Sequence, residues 1–589
     1  MPGIQEWIHS LEEGRGATLL KRLVFFLGVL ALAVWYDVRE YRNFTTPEMM
    51  DLAQVGRNIS QGKGFTTDHI RPFSIALLQR HQGEVNVLTN AHPDLANAPV
   101  YPYLLAGLFK VAPVSHQFAA GASRYEPEIA VTVLNQLFFA AVIVATFFLA
   151  RRLFDNAVAW LTAALLIGNG LLWEYSNTGL PTMLLLLIVM LIANCLFALE
   201  ARSREEDPLQ APKGVIPLSL AIGVLIGVGC LTRYSFGFLL IPVCFFLALV
   251  LRARKGVALA VVLASFTVVV SPWIARNVAV SGTPFGVAGY AVFESTPHYP
   301  KNRLERSMPK NFETDMKPFA LRDYMRKLVE GASGVLSAGV ESFAGSLVGA
   351  LFVAALLIRF NNVGLQRLKW FIVGAGVVLL IVQSLGRTEY YDAGPSSENL
   401  LILLAPLLLT FGSAMFFVFL DQMNLPALAW RRMVITVFVL VGCASLIVKL
   451  LPPRGFSIAW PPYSPGALQH ISGWMKENEI MMSDMPWAIA WYGQRKCVLN
   501  TLDAGETTPS DFFYINDYQK PIQGLYLSPL TLDGRFTTEV LKGPDSAWGR
   551  FVLEALLRTN VPPEFPLRQS PRGMLPEHLF LSDRNRWGR

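Results

Sequence analysis

"LLILLAPLLLTFGSAMFFVF", residues 400–419, runs for 20 positions without one charged side chain. A helix of that length is about 30 Å long, which matches the hydrocarbon thickness of a bilayer. Uncharged runs at 137–150, 183–199 and 257–270 approach the same length. Over the 589 residues 53% are hydrophobic and only 16% are charged, where a soluble chain carries nearer a quarter charged. The sequence therefore predicts a polytopic α-helical membrane protein.

About eleven spans are expected, at roughly 20–36, 132–150, 157–174, 180–199, 214–231, 237–252, 256–275, 335–358, 368–386, 399–420 and 432–451. Basic residues then orient them, because loops rich in Lys and Arg stay cytoplasmic. Lys21-Arg22, Arg151-Arg152, Arg202 with Arg204 and Lys213, 252–255, Arg367 with Lys369, and Arg431-Arg432 all fall on one side. The opposite, extracytoplasmic side receives 37–131, 276–334, 387–398 and everything after about 452. The expected divisions are a cytoplasmic N-terminus (1–19), a transmembrane body (20–452) with a first external loop at 37–131, and an extracytoplasmic tail (453–589). The setting is an inner (plasma) membrane. A cleaved leader ending near Ala31-Leu32-Ala33 competes with the first span, but Trp35 and Tyr36 read better as an interfacial anchor.

The formal charge of +7 is spread over loops and calls for no nucleic-acid partner. Four of the five cysteines lie in apolar segments and Cys497 stands alone in a polar one, so no intrachain disulfide is expected. In the tail, an amphipathic helix precedes short apolar runs separated by polar turns, the pattern of a small α/β domain. It contains neither a nucleophile elbow nor a phosphate loop.

The first external loop opens with "TTPEMMDLAQVGRNISQGKGFTT", 45–67. Thr45 or Thr46 can cap a helix, Pro47 suits its first turn, and Glu48 can reach back to close a capping box. Asp51 suits the positive end of the helix dipole. Met49, Met50, Ala53, Val55 and Ile59 form an apolar stripe, which predicts a helix lying on the membrane surface. Gly62-Lys63-Gly64 ends it, and "AHPDLANAPVYPYLLAGLFKV", 91–111, follows with a proline-rich turn and a second apolar helix.

This order of features resembles the polytopic GT-C glycosyltransferases. The closest likeness is to glycosyltransferase family 39, which includes protein O-mannosyltransferases and bacterial enzymes that transfer 4-amino-arabinose to lipid A. The resemblance rests on an acidic residue opening the loop helix, the G-x-G-F break and the "HP…P-x-YP-x-LLA" turn. "LTRYSFGFLLIP" (231–242), "SPWIARNVAVSGTPFG" (271–286) and the tail stretch ending "PWAIAWYGQRK" add to it. It implies sugar transfer from a polyprenyl-phosphate-linked donor to a lipid, glycan or protein acceptor on the outer face, as a hexosyl- or pentosyltransferase. A loop carboxylate would serve as general base. No tightly bound cofactor is implied, and a divalent cation stays open.

In the family pattern the acidic residue stands about fourteen positions before the first Gly of G-x-G, which lands on Glu48, where relatives carry Asp. Asp51, one turn on, is the second candidate; Asp37 is a poorer one. For the donor phosphate the resemblance points to cations at external span ends, Arg233, Arg276 and Arg387, because the guanidinium fork suits phosphate. Glu398-Asn399 stand where relatives carry Arg-Tyr. His92, Tyr101 and Glu174 are candidates to line the acceptor side, each with an ordinary structural reading beside it. No second His or Cys stands at metal-ligand spacing. Two other readings stay open: a flippase or transporter of lipid-linked saccharide, and an inactive GT-C relative acting as an assembly subunit.

Overall fold

The computed structural model describes residues 15–587 apart from 84–85, 89–90, 113, 119–121, 123, 206–213, 252–253, 301, 310–311, 313–315, 317–320, 340–345, 387–394, 396–398, 424, 426, 453–463, 504–509, 533–540, 543–545, 559–560 and 575–577. Among the described residues six helices are long and apolar enough to cross a membrane: Glu126–Leu153, Thr182–Arg204, Val215–Thr232, Lys255–Ser281, Val363–Leu385 and Leu401–Gln422. Two bent pairs, Asn156–Ile167 with Gly170–Asn177 (56°) and Leu428–Gly442 with Ala444–Leu450 (59°), raise the number to eight. About eleven spans were expected. Eight of the expected spans match these; those at 20–36, 237–252 and 335–358 do not, and 237–252 falls on the shorter apolar stretch Tyr234–Val250. Asn169 caps a new helix through its side chain, accepting from the amides of Leu171 and Leu172. The expected span at 335–358 is divided between Leu321–Gly339 and Ser346–Leu357.

The helix at Pro47–Ser60 forms as its Thr-Pro start predicts, with Thr46 as N-cap. The capping box does not form: Thr46 makes no side-chain cap bond, and Glu48 turns instead toward Arg233. Nor does this helix lie open on a membrane surface. All ten residues from Met49 to Asn58 are buried, polar ones included. One side packs on the Val100–Val111 helix, where Gly56 permits close approach. A Cβ there would stand 2.9 Å from Leu105 Cβ and 3.1 Å from the Pro102 carbonyl. The tail covers the other side.

The tail sheet explains that burial. Its order is β1-β3-β2-β4-β5, from His69–Ile70 (β1), Ile480–Ser483 (β2), Cys497–Leu499 (β3), Ile522–Leu527 (β4) and Leu579–Ser582 (β5). The first four strands are parallel and β5 is antiparallel to β4. β1 belongs to the first external loop, with His69 opposite Cys497 and Ile70 opposite Val498. Loop and tail therefore share one sheet.

Two buried charges fasten that sheet to the helical body. Arg57 donates to the carbonyls of Trp491 and Ala490, each at 2.7 Å. Glu128, at the start of a membrane helix, accepts from Trp491 Nε1 (2.8 Å), Tyr492 OH (2.7 Å) and the Phe44 amide (3.0 Å). Arg57→Ala removes two charge-assisted bonds and leaves two buried carbonyls without their donor. A loss of about 3 kcal/mol is expected, read as a lower unfolding midpoint in detergent and faster proteolysis of the tail.

Candidate active site

A cavity of about 660 Å³ opens between the first loop, the helix ends and the tail. Its walls come from 42–52, from 232–235, from 287–305 and from the ends of the Gly170–Asn177 and Val363–Leu385 helices, with Trp487 supplied by the tail. These are the segments that the basic-loop pattern assigns to one side. Two of the basic loops meet at the opposite helix ends, where Arg204 donates to Asn362 and Arg367 to Glu200. All the segments expected to be external thus meet around one space.

Both candidate carboxylates line the cavity, but their surroundings differ sharply. Asp51 is 2% exposed. It receives Arg71 Nη2 at 2.8 Å, Asn97 Nδ2 at 3.0 Å and Gln54 Nε2 at 3.2 Å, with His69 Nδ1 at 3.1 Å. Burial pushes against its charge, but Arg71 and then His69 outweigh that and hold the carboxyl well below the usual range. A carboxylate with its lone pairs taken by three donors and a fourth polar group close by is a weak base. Arg71 also donates to Glu305 at 3.2 Å, so its charge is shared between two acids. Asp94 lies in the same network, its carboxyl pushed up first by burial and then by Asp51.

Glu48 has a side chain 37% exposed and meets Arg233 Nη1 at 3.4 Å. Both line the cavity. Arg233 is itself held by Ser235 Oγ at 3.0 Å from Nε. An acid and a cation thus stand a few ångströms apart at the mouth of one space, in a setting where a third group can come between them.

The other expected residues fall into three groups. Glu174 lines the cavity and is ion-paired with Lys449. Arg276, His92 and Tyr101 do not line it. Arg276 donates to the Asp94 carbonyl at 2.8 Å and stacks over Trp273, tying a membrane helix to the first loop. Tyr101 donates to Asn135 Oδ1 inside the helix packing. His92 is buried against Ser74. Because Ser74 Oγ donates to the Arg71 carbonyl at 2.6 Å, its 2.8 Å contact with His92 Nε2 has the ring donating. Arg387 and Glu398 lie outside the described residues, and Asn399 is among them.

Sequence reading passed over Arg42, His69, Arg71 and Trp487, which also line the cavity. The available signal was the cluster Asp68-His69-Ile70-Arg71-Pro72, three ionisable side chains in a proline-stopped stretch just after the Gly break. Among the described residues no group of three or more His, Cys, Asp or Glu side chains is placed to hold a metal ion.

Burial pushes the His92 imidazole from 6.5 down to about 4. As pH falls below about 6.5 the unfolded chain takes up a proton that the folded chain refuses, so stability drops until about pH 4. At 1.36 kcal/mol per unit the full span is worth about 3 kcal/mol. Unfolding midpoints measured from pH 7 to pH 4 should fall, with a shallower slope in His92→Asn.

No protein-family profile and no curated protein matches this sequence. Solved structures do match its fold. ArnT from Cupriavidus metallidurans, bound to undecaprenyl phosphate, aligns with a TM-score of 0.54 at 11% identity, over 95% of this chain and 98% of that one. The archaeal oligosaccharyltransferase AglB from Archaeoglobus fulgidus, in complex with an inhibitory peptide and a dolichol-phosphate, aligns at 0.50 and 11% identity, over 89% and 72%. The Archaeoglobus fulgidus oligosaccharyltransferase tethered with an acceptor peptide aligns at 0.53 and 10% identity, over 92% and 72%. The chain shares its fold with these solved structures over most of its length.

Proposed function

We propose that this protein is a membrane glycosyltransferase that moves a sugar from a polyprenyl-phosphate carrier to an acceptor hydroxyl on the extracytoplasmic face. The observation that carries the reading is the juxtaposition of Glu48 with Arg233 in a cavity at the helix ends. The fold matches, solved with undecaprenyl phosphate and with dolichol-phosphate, support a lipid-linked donor.

In this scheme Glu48 takes the proton from the acceptor hydroxyl. The freed oxygen bonds to the anomeric carbon while the bond from that carbon to the phosphate oxygen breaks. The electron pair stays on the phosphate, where Arg233 stabilises the charge as it develops. The products are the glycosylated acceptor and the free polyprenyl phosphate. Asp51 is a positioning residue: paired with Arg71, it fixes the wall from which Glu48 projects. The N-terminus is cytoplasmic and the tail extracytoplasmic, in keeping with the basic loops.

Binding of undecaprenyl phosphate to the full chain in nanodiscs tests the donor half of this reading. Arg233→Ala should weaken it about 10–100-fold, the worth of a charge-assisted contact. Unchanged affinity in that variant would move the phosphate away from Arg233 and count against the scheme.

A further inference from the structure

The wall formed where β1 meets the tail carries two ring nitrogens that the scheme above does not use. His69 and Trp487 both line the cavity, 2% and 7% exposed, with ring centroids 5.8 Å apart and edge to face. His69 stands on the loop's own strand, and Trp487 follows the C-terminal end of β2. Among the described residues neither His69 Nε2 nor Trp487 Nε1 has a hydrogen-bond partner. Buried polar atoms are nearly always paired, and an orphan in a native structure calls for a role.

The two nitrogens are chemically complementary. An indole nitrogen only donates. His69 Nδ1 sits 3.1 Å from Asp51 Oδ1 in an off-axis contact, and the carboxylate favours the proton on that nitrogen. Nε2 is then a bare lone pair. Burial, followed by the charge on Arg71, pushes the imidazole down and keeps the ring neutral. One ring thus offers a donor and the neighbouring ring an acceptor, both neutral. A hydroxyl, which donates once and accepts, matches that pair. A phosphate oxygen does not, because the bare lone pair repels it.

We infer that His69 and Trp487 form a sugar-hydroxyl subsite, built jointly by the first loop and the tail, that holds one hydroxyl of the donor sugar or of the acceptor during transfer. This rests on the cavity being a sugar-transfer site. The shared strand pairing brings the two rings together, so recognition of the hydroxyl depends on loop and tail being docked.

The test is ligand binding to the full chain in nanodiscs, comparing the unaltered protein with Trp487→Phe, which keeps an aromatic ring, and His69→Phe. The probes are undecaprenyl phosphate alone, undecaprenyl phosphate carrying a hexose or a pentose, and methyl glycosides of the same sugars. Both variants should bind undecaprenyl phosphate as the unaltered chain does, yet bind at least one sugar ligand about 5–10-fold more weakly. A loss confined to the lipid-linked sugars assigns the hydroxyl to the donor. A loss for a methyl glycoside at saturating undecaprenyl phosphate assigns it to the acceptor. The subsite is overturned if no sugar ligand binds, or if every one that binds does so equally in all three proteins. Failure of undecaprenyl phosphate to bind the unaltered chain would overturn the donor reading instead.

Discussion

Glu48→Gln should lower the rate of sugar transfer by about 10²–10⁴-fold, the range expected when a general base loses its proton-accepting oxygen. Stability should change by less than about 1 kcal/mol, because the Glu48–Arg233 contact is partly open to solvent and such pairs contribute little. The amide keeps the size of the carboxylate and one accepting oxygen. Substrate binding should therefore survive, and the loss should fall on kcat rather than KM. A transporter would keep moving lipid-linked saccharide in this variant, and an inactive relative would transfer nothing even unaltered. Retained transfer in Glu48→Gln, measured with protein of unchanged unfolding midpoint, would remove Glu48 from the chemistry.

Asp51→Asn should act in the opposite way, on folding rather than on chemistry. The amide nitrogen would face groups that already donate, Arg71, Asn97 and Gln54. Arg71 would remain buried with Glu305 as its acidic partner. Removing one partner of a buried charge network costs about 3–5 kcal/mol, enough to lower the yield of folded protein severely. The depressed carboxyl of Asp51 also sets a pH window. Its stabilising charge is fully present above the unfolded carboxylate value of about 3.9 and is lost as pH falls through the lower folded value. Any pH dependence of the cost of Asp51→Asn well above that range should come from its neighbours Asp94 and His69, because Asp51 itself stays charged in both states. If the variant instead folds with an unchanged midpoint and is inactive, Asp51 belongs to the chemistry after all.

These two outcomes explain why local sequence left the carboxylates undivided. Three residues apart at the start of one helix, both satisfy the same capping and dipole rules. What divides them lies far along the chain. Arg71, 20 residues beyond Asp51, closes over it, while Arg233, 185 residues beyond Glu48, meets it across the cavity. The capping box failed for the same reason, since Arg233 offers Glu48 a charged partner where the helix start offers an amide. The surface-helix expectation failed because hydropathy reads the stripe of Met49, Met50 and Val55 but not the polar face. Arg57, on that face, finds buried acceptors at Ala490 and Trp491, more than 430 positions away.

Hydrophobic runs such as 400–419 carry their meaning locally, because a helix in lipid satisfies its own backbone and needs no partner to be recognised. The sequence by itself therefore determined the membrane class and the helix that carries Glu48. Only the tertiary structure decided which of the two cavity-lining carboxylates stays open and which is locked in ion pairs, that β1 joins the tail sheet, and where His69, Arg71 and Trp487 meet. Burial and ion pairing depend on groups brought together from distant segments, and spacing along the chain does not record that approach.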